Sequence, residues 1–452
     1  MTGTLENCLV FDGPLVHSCS RNQITTHERA LVVVENGKIT KVVENVTGDV
    51  KEHLGSGKYQ MKKLEKGQFL CPGFVDLHTH APQFPNQGLG MDMPLLDWLQ
   101  TYTFPLEMKY EDEGFAEKVY KNVVKSTLKS GTTTACYFGT IHRKSTTRLA
   151  QAVSRMGQRG LVGKVNMNQN SNGKYVEKTE DSMKETLNFI QDVSELNNPL
   201  VEPVITPRFA ISCSMDLLKE LGKLAASGNY YIQTHISENK AEVEFTKEVF
   251  PDQPNYAEVY NVSGLLTNKT ILGHGIYLSD EEQKVIASKG TAVAHCPNSN
   301  TWLKSGICDV RKLWSNNVKV GLGTDIGAGS VSSIIDAMRS ALAVSINKSF
   351  YSSEDYKPLT YPEVFFLATL GGAEALNKQE SIGNFMVGKD FDALLIDTEW
   401  QNRPDMNAPT FTMTDHSLIE RVQKLIYSGD DRNIAEVYVC GRLVSSRNIS
   451  SK

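Results

Sequence analysis

The chain is short of basic charge. Lysine and arginine number 47 against 52 aspartates and glutamates, a formal net charge of −5. Without a cationic excess to neutralise phosphates, a nucleic-acid binder is not expected. Long apolar runs are also lacking: none approaches the roughly 18–20 residues of a membrane helix, so no membrane partner is expected. Eight cysteines occur without a C-x-x-C pair, which fits reduced thiols better than a disulfide framework. The first residues, MTGTLENCLVFDGP, carry an early acid and no basic stretch, unlike a secretory leader. The tail RNISSK holds no lipidation or retrieval signal. These absences leave a soluble, cytoplasmic protein as the expectation.

What is present is enough for one large catalytic domain with a small satellite: 452 residues, 40% hydrophobic and 22% charged. The two ends resemble each other. Residues 30–44, ALVVVENGKITKVVE, are β-branched runs around ENGK, a hairpin signal. FDALLID (391–397) and EVYVCGRLV (436–444) again read as short strands with a glycine turn, preceded by the turn-rich IGNFMVGKD. Neither end can bury a core alone. Segments 1–68 and 381–452 are therefore expected to pack together as one small β-sandwich domain.

Between them, residues 69–380 alternate strand and helix patterns. Strands are expected at 69–77, 132–138, 160–167, 201–207, 230–236, 270–276, 291–296 and 318–324. The gaps carry helical spacing, as at 114–131 and 182–196. Eight such units predict an α/β fold, a (β/α)8 barrel of the TIM type, with its site at the C-terminal strand ends. The insertion MPLLDWLQTYTFPLE (93–107) is amphipathic. Its aromatics at 98–104 look exposed and suit a lid or a dimer interface, with a plain core helix as the alternative. A homodimer is the expected assembly.

The chemistry-bearing residues fall where a barrel keeps its site. His78 and His80 end the first strand, Arg208 follows the fourth, and His235 closes the fifth with Glu238 just beyond. His274 ends the sixth, His295 the seventh and Asp325 the eighth, so five of ten histidines stand at strand ends. Each has an ordinary explanation when taken singly. His235 could be a bonded core histidine, Asp325 a helix N-cap, and Arg208 a salt-bridge residue. Taken together they point to a metal. Side chains at i and i+2 of a strand share a face, so His78 and His80 can reach one ion. Three imidazoles and a carboxylate suit Zn2+ or Fe2+. A second metal would call for a bridging lysine after the fourth strand, where ITPRFA has none, and Lys164 falls inside the third. One ion per chain is expected. His17, His27, His53, His142 and His416 have no such placement.

PGFVDLHTH, QTHISE, LGHG, AHCPNSN and GLGTD, with ATLGGAEALN and IGNFMVGKDFDALLI, resemble the amidohydrolase superfamily in its deaminase and chlorohydrolase branch. HAPQFPNQG, LLDWLQTYTFPLE, GTTTACYFGTIH and VITPRFAISCS are similar to its guanine-deaminating members. The resemblance spans about residues 69–397 and implies hydrolysis of guanine by water, giving xanthine and ammonia. It further implies zinc on His78, His80, His235 and Asp325, His274 holding the reactive water, and Glu238 shuttling protons. Arg208, Phe209 and Gln83 would bind the purine, with Arg208 at O6 or N7. The other zinc deaminase pattern, H-x-E with P-C-x-x-C, is missing. Two alternatives stand beside this reading. One is a deaminase or chlorohydrolase for another purine, nucleoside, triazine or pterin; the other is a non-catalytic scaffold of the same fold.

Overall fold

Gly73 marks the place where the chain passes from one sheet to another. The expected single strand at 69–77 is two strands, Gln68–Pro72 and Phe74–His80, belonging to different sheets. A Cβ at Gly73 would lie 2.1 Å from Thr133 Oγ1, so only glycine fits against that neighbour. The computed structural model describes residues 8–54, 58–171, 175–399, 413 and 415–447. Positions 1–7 and 448–452, within the terminal segments read above for targeting signals, lie outside them. Among the described residues no helix is long and apolar enough to cross a membrane.

The barrel strands, first to eighth, are Phe74–His80, Thr132–Phe138, Arg159–Gly163, Val201–Pro207, Tyr231–Ile236, Thr270–His274, Ala292–His295 and Lys319–Leu322. Each pairs in parallel with the next. Strands such as Phe74–His80, Thr132–Phe138 and Tyr231–Ile236 are buried along their whole length. That is why they read as continuous apolar runs rather than alternating ones. Helices at Glu113–Lys129 and Thr179–Ser194 occupy the gaps where helical spacing is found in the sequence. In the first, Asp112 caps Gly114 N and Phe115 N, and Ala116, Val119, Tyr120, Val123, Val124, Thr127 and Leu128 form its buried face.

Asp76 brings the first and last strands together. Its Oδ1 accepts from Thr324 N at 3.0 Å and His78 N at 3.2 Å, and its Oδ2 accepts from Thr324 Oγ1 at 2.5 Å. Next to it, Asp325 N donates to His78 O at 2.8 Å. The seam that closes the ring therefore also sets the spacing between His78 and Asp325.

Strands from both termini form one further sheet, with Ala393–Asp397 running antiparallel to Gln68–Pro72. The expected hairpins are present, at Gln23–Glu35 with Lys38–Val43 and at Ile434–Val439 with Arg442–Ser446. Their turns, Asn36-Gly37 (φ 52° and 81°) and Cys440-Gly441 (φ 45° and 71°), have the paired positive φ of tight hairpins. All eight cysteines are free.

Asp76→Ala leaves three donors at the seam without their acceptor. At about 1–3 kcal/mol for each buried group left unsatisfied, a clear drop in melting temperature is expected, read by circular dichroism.

Candidate active site

Four imidazoles converge at the C-terminal rim of the barrel. His78 and His80 share a face of the first strand, with ring centroids 5.1 Å apart. His235 Nδ1 donates to the carbonyl of Arg208 at 2.5 Å. His274 Nδ1 donates to Asn300 Oδ1 at 2.9 Å. Since both partners accept, each ring turns the lone pair of Nε2 inward. His235 Nε2 lies 3.0 Å from His80 Nε2. Asp325 faces them, with Oδ1 3.5 Å from His78 Nε2 and 3.6 Å from His80 Nε2, and Oδ2 3.8 Å from His274 Nε2.

The backbone is bent to achieve this. Ser237, His274 and Asp325 adopt φ of 49°, 72° and 49°, a left-handed region that costs energy in residues other than glycine. Two glycines make room for His78. A Cβ on Gly273 would stand 2.8 Å from His78 Cε1, and one on Gly323 would stand 2.9 Å from His78 Cβ.

Burial dominates the electrostatics. It holds His78, His80 and His235 well below the ordinary histidine range, helped by the neighbouring imidazoles. The rings are therefore neutral, the form that binds metals. Burial also raises the Asp325 carboxyl, with His274 opposing it. His78 Nε2 is buried without a hydrogen-bond partner. Three groups of potential ligand atoms lie within 4.8 Å of one another: His78, His235 and His274; His78, His80 and Asp325; and Glu238, His274 and Asp325. Such a donor set, convergent and partly unsatisfied, fits a divalent cation. Lys164 stays apart from it, buried just past the third strand and paired to Glu177 at 2.7 Å. His295 is also buried, its pKa lowered to about 3 by burial and by His274, and it joins none of these groups.

Beside the cluster opens a cavity of about 360 Å3, its mouth included, with apolar walls of Leu95, Trp98, Leu99, Phe209 and Ala328. Its polar lining comprises His80, Gln83, Arg208, His235, Glu238, His274 and Asp325. Glu238 Oε2 stands 3.4 Å from His274 Nε2. Burial, then Asp325 and then Glu242, raise its carboxyl well above the usual range. Its backbone N–H donates to Glu242 Oε2 at 2.8 Å, and Glu242 Oε1 accepts from Tyr256 OH at 2.7 Å.

The insertion at 93–107 is part of this wall. Its aromatics are not exposed, contrary to the expectation from the amphipathic pattern: Trp98 and Phe104 are buried, and Trp98 faces the cavity. It also supplies Glu107, which sequence reasoning misses. Arg208 Nη1 and Nη2 donate to Glu107 at 2.6 and 3.2 Å, and Gln83 Nε2 donates to it at 3.0 Å. The one signal in the sequence is an acid, the second after Asp97, within an apolar helical pattern. Gly273, Gly323 and Asn300 are missed too, although each lies inside or beside a quoted motif.

Residues 69–444 match the model of the amidohydrolase family. The chain belongs to that family. This amidohydrolase is 45% identical to a guanine deaminase of Rattus norvegicus over 97% of both chains. It is 44% identical to a guanine deaminase of Homo sapiens over 96% of both. Among solved structures, a guanine deaminase from C. acetobutylicum with guanine bound in its active site superposes with a TM-score of 0.89. That protein is 35% identical, and the match covers 97% of this chain and 100% of the other.

In this amidohydrolase, Gly273→Ala would push its new methyl against the His78 ring. A loss of about 10- to 100-fold in metal affinity is expected, the scale for disturbing the surroundings of a ligand, measured by competition with a chelator.

Proposed function

We propose that the protein hydrolyses guanine at C2, releasing xanthine and ammonia, with one Zn2+ held by His78, His80, His235 and Asp325. The observation that carries this reading is the junction of two sites in one cavity. A cluster of inward-facing imidazoles adjoins an apolar slot whose polar groups, Arg208 and Gln83, suit a purine edge. Full-length similarity to guanine deaminases supports the choice of base.

Zinc, when bound, lowers the pKa of water towards about 7, so that a nucleophile exists at neutral pH. The chain does the rest. Asp325 and His274 take up and orient the proton of the attacking water. Glu238, whose carboxyl burial raises well above the usual range, protonates N3 as C2 turns tetrahedral. It is then recharged with the first proton removed from water and passes it to the exocyclic amine, which leaves as ammonia; the second water proton, on the C2 hydroxyl, returns to Glu238 as the carbonyl of xanthine forms. Arg208 meets the acceptor edge with a planar donor fork, and Phe209 supplies an apolar face beside His235, 5.9 Å between centroids.

Metal per chain by elemental analysis, and conversion of guanine to xanthine followed by absorbance, test the reading directly. Adenine, ammeline and S-adenosylhomocysteine run alongside decide between guanine and the substrates of related deaminases. Glu238→Gln is expected to keep zinc and lose roughly 10²–10⁴-fold in kcat, the scale of a general acid–base group; near-normal turnover removes Glu238 from the mechanism. His235→Ala is expected to be purified without metal. Arg208→Ala should chiefly raise KM for guanine, and an unchanged KM would reassign Arg208 to structure.

A further inference from the structure

Glu107 is fully buried, at 0% exposure, and does not itself line the cavity. Two residues that do line it donate to this carboxylate, Arg208 through both terminal nitrogens and Gln83 through Nε2, and the buried Tyr175 hydroxyl also interacts with it. A carboxylate only accepts. Its presence therefore turns the amide of Gln83 so that Nε2 faces Glu107. Among the described residues the Gln83 side chain makes no other hydrogen bond, which leaves Oε1 as its one acceptor, beside the second N–H of the same amide. Arg208, 2% exposed, has its charge balanced by the same carboxylate. A neutral acceptor then suits its free N–H groups better than a second anion.

We propose that Glu107 is a positioning residue that sets the hydrogen-bonding pattern by which the cavity distinguishes purines: Arg208 as donor and Gln83 Oε1 as acceptor. This rests on the guanine reading above and extends it to selectivity. With N3 served by Glu238, the edge formed by N1 and C6 falls to Gln83 and Arg208. Guanine offers an acceptor oxygen at C6 and a donor N–H at N1, which complements both. A 6-aminopurine offers the reverse, so donor meets donor and acceptor meets acceptor. Buried mismatches of this kind discriminate more strongly than missing contacts.

The test compares guanine with 2,6-diaminopurine, which has the same amine at C2 but the inverted N1–C6 edge. Comparing their kcat/KM ratio between proteins cancels the intrinsic reactivity of the two bases. The unaltered protein is expected to favour guanine by at least about 10²-fold. In Glu107→Gln the new amide can donate to Gln83 Oε1 and reverse the Gln83 amide. The preference is then expected to shrink by about 10-fold or more, mainly through a higher KM for guanine, with metal per chain unchanged. Glu107→Asp keeps an acceptor-only group and should retain the preference even where turnover falls. An unchanged ratio in Glu107→Gln, with both substrates slowed alike, would overturn the proposal and leave Glu107 a purely structural role. If that variant does not fold, inhibition of the unaltered protein decides. Hypoxanthine, which has guanine's edge without the C2 amine, should then bind at least about 10-fold more tightly than adenine, and equal inhibition overturns the pattern. Failure of the unaltered protein to convert guanine at all is a separate result, one that removes the proposed function and this inference with it.

Discussion

Four imidazoles and two carboxylates share a space largely closed to water, and the rest of the structure answers to that crowding. Burial disfavours every charged form, so the rings of His78, His80 and His235 stay neutral while the carboxyls of Asp325 and Glu238 are pushed up. A ring is held in one orientation when its outward N–H has an acceptor. The Arg208 carbonyl does this for His235, and Asn300 does it for His274. The same bonds fix the direction of the inner lone pairs. His78 has its Nε2 buried without a hydrogen-bond partner, the condition that a cation relieves.

A parallel barrel is well suited to assembling such a cluster. All its strands end on one rim, so His78 and Asp325, far apart in the chain, become neighbours through the seam at Asp76 and Thr324. The cost appears in the backbone, at the positive φ of Ser237, His274 and Asp325. It appears again in the glycines at 273 and 323, which leave space for a ring where any other side chain would collide. Opposite the cluster, the insertion at 93–107 has two roles. Leu95, Trp98 and Leu99 form an apolar wall, and Glu107 balances the buried Arg208 while holding Gln83.

Much of the rim is legible in the amino-acid sequence, for a physical reason. Barrel strands are buried on both faces and so read as continuous apolar runs. Polar residues at their ends therefore stand out, as His78, His80, His235, His274 and Asp325 do. His295 stands out equally and lies outside the ligand groups, because a strand end indicates the rim but not which way a ring points. The break at Gly73 is hidden, since two short buried strands in succession have the same composition as one long one. The aromatics at 98–104 look exposed for a related reason: an amphipathic segment reveals that it has an apolar face, not what that face covers.

By itself, then, the sequence determined the set of chemical groups at the rim and the order in which the barrel presents them. Both follow from residue type and from local periodicity along each strand. Tertiary structure alone decided how those groups are aimed. Glu107 and Arg208 are 101 positions apart, and nothing near either residue announces the other. Which nitrogen of a histidine faces inward, and which end of the Gln83 amide is left over, depend on partners brought up by other segments. Hydrogen bonds of that kind form only once the chain has closed around them.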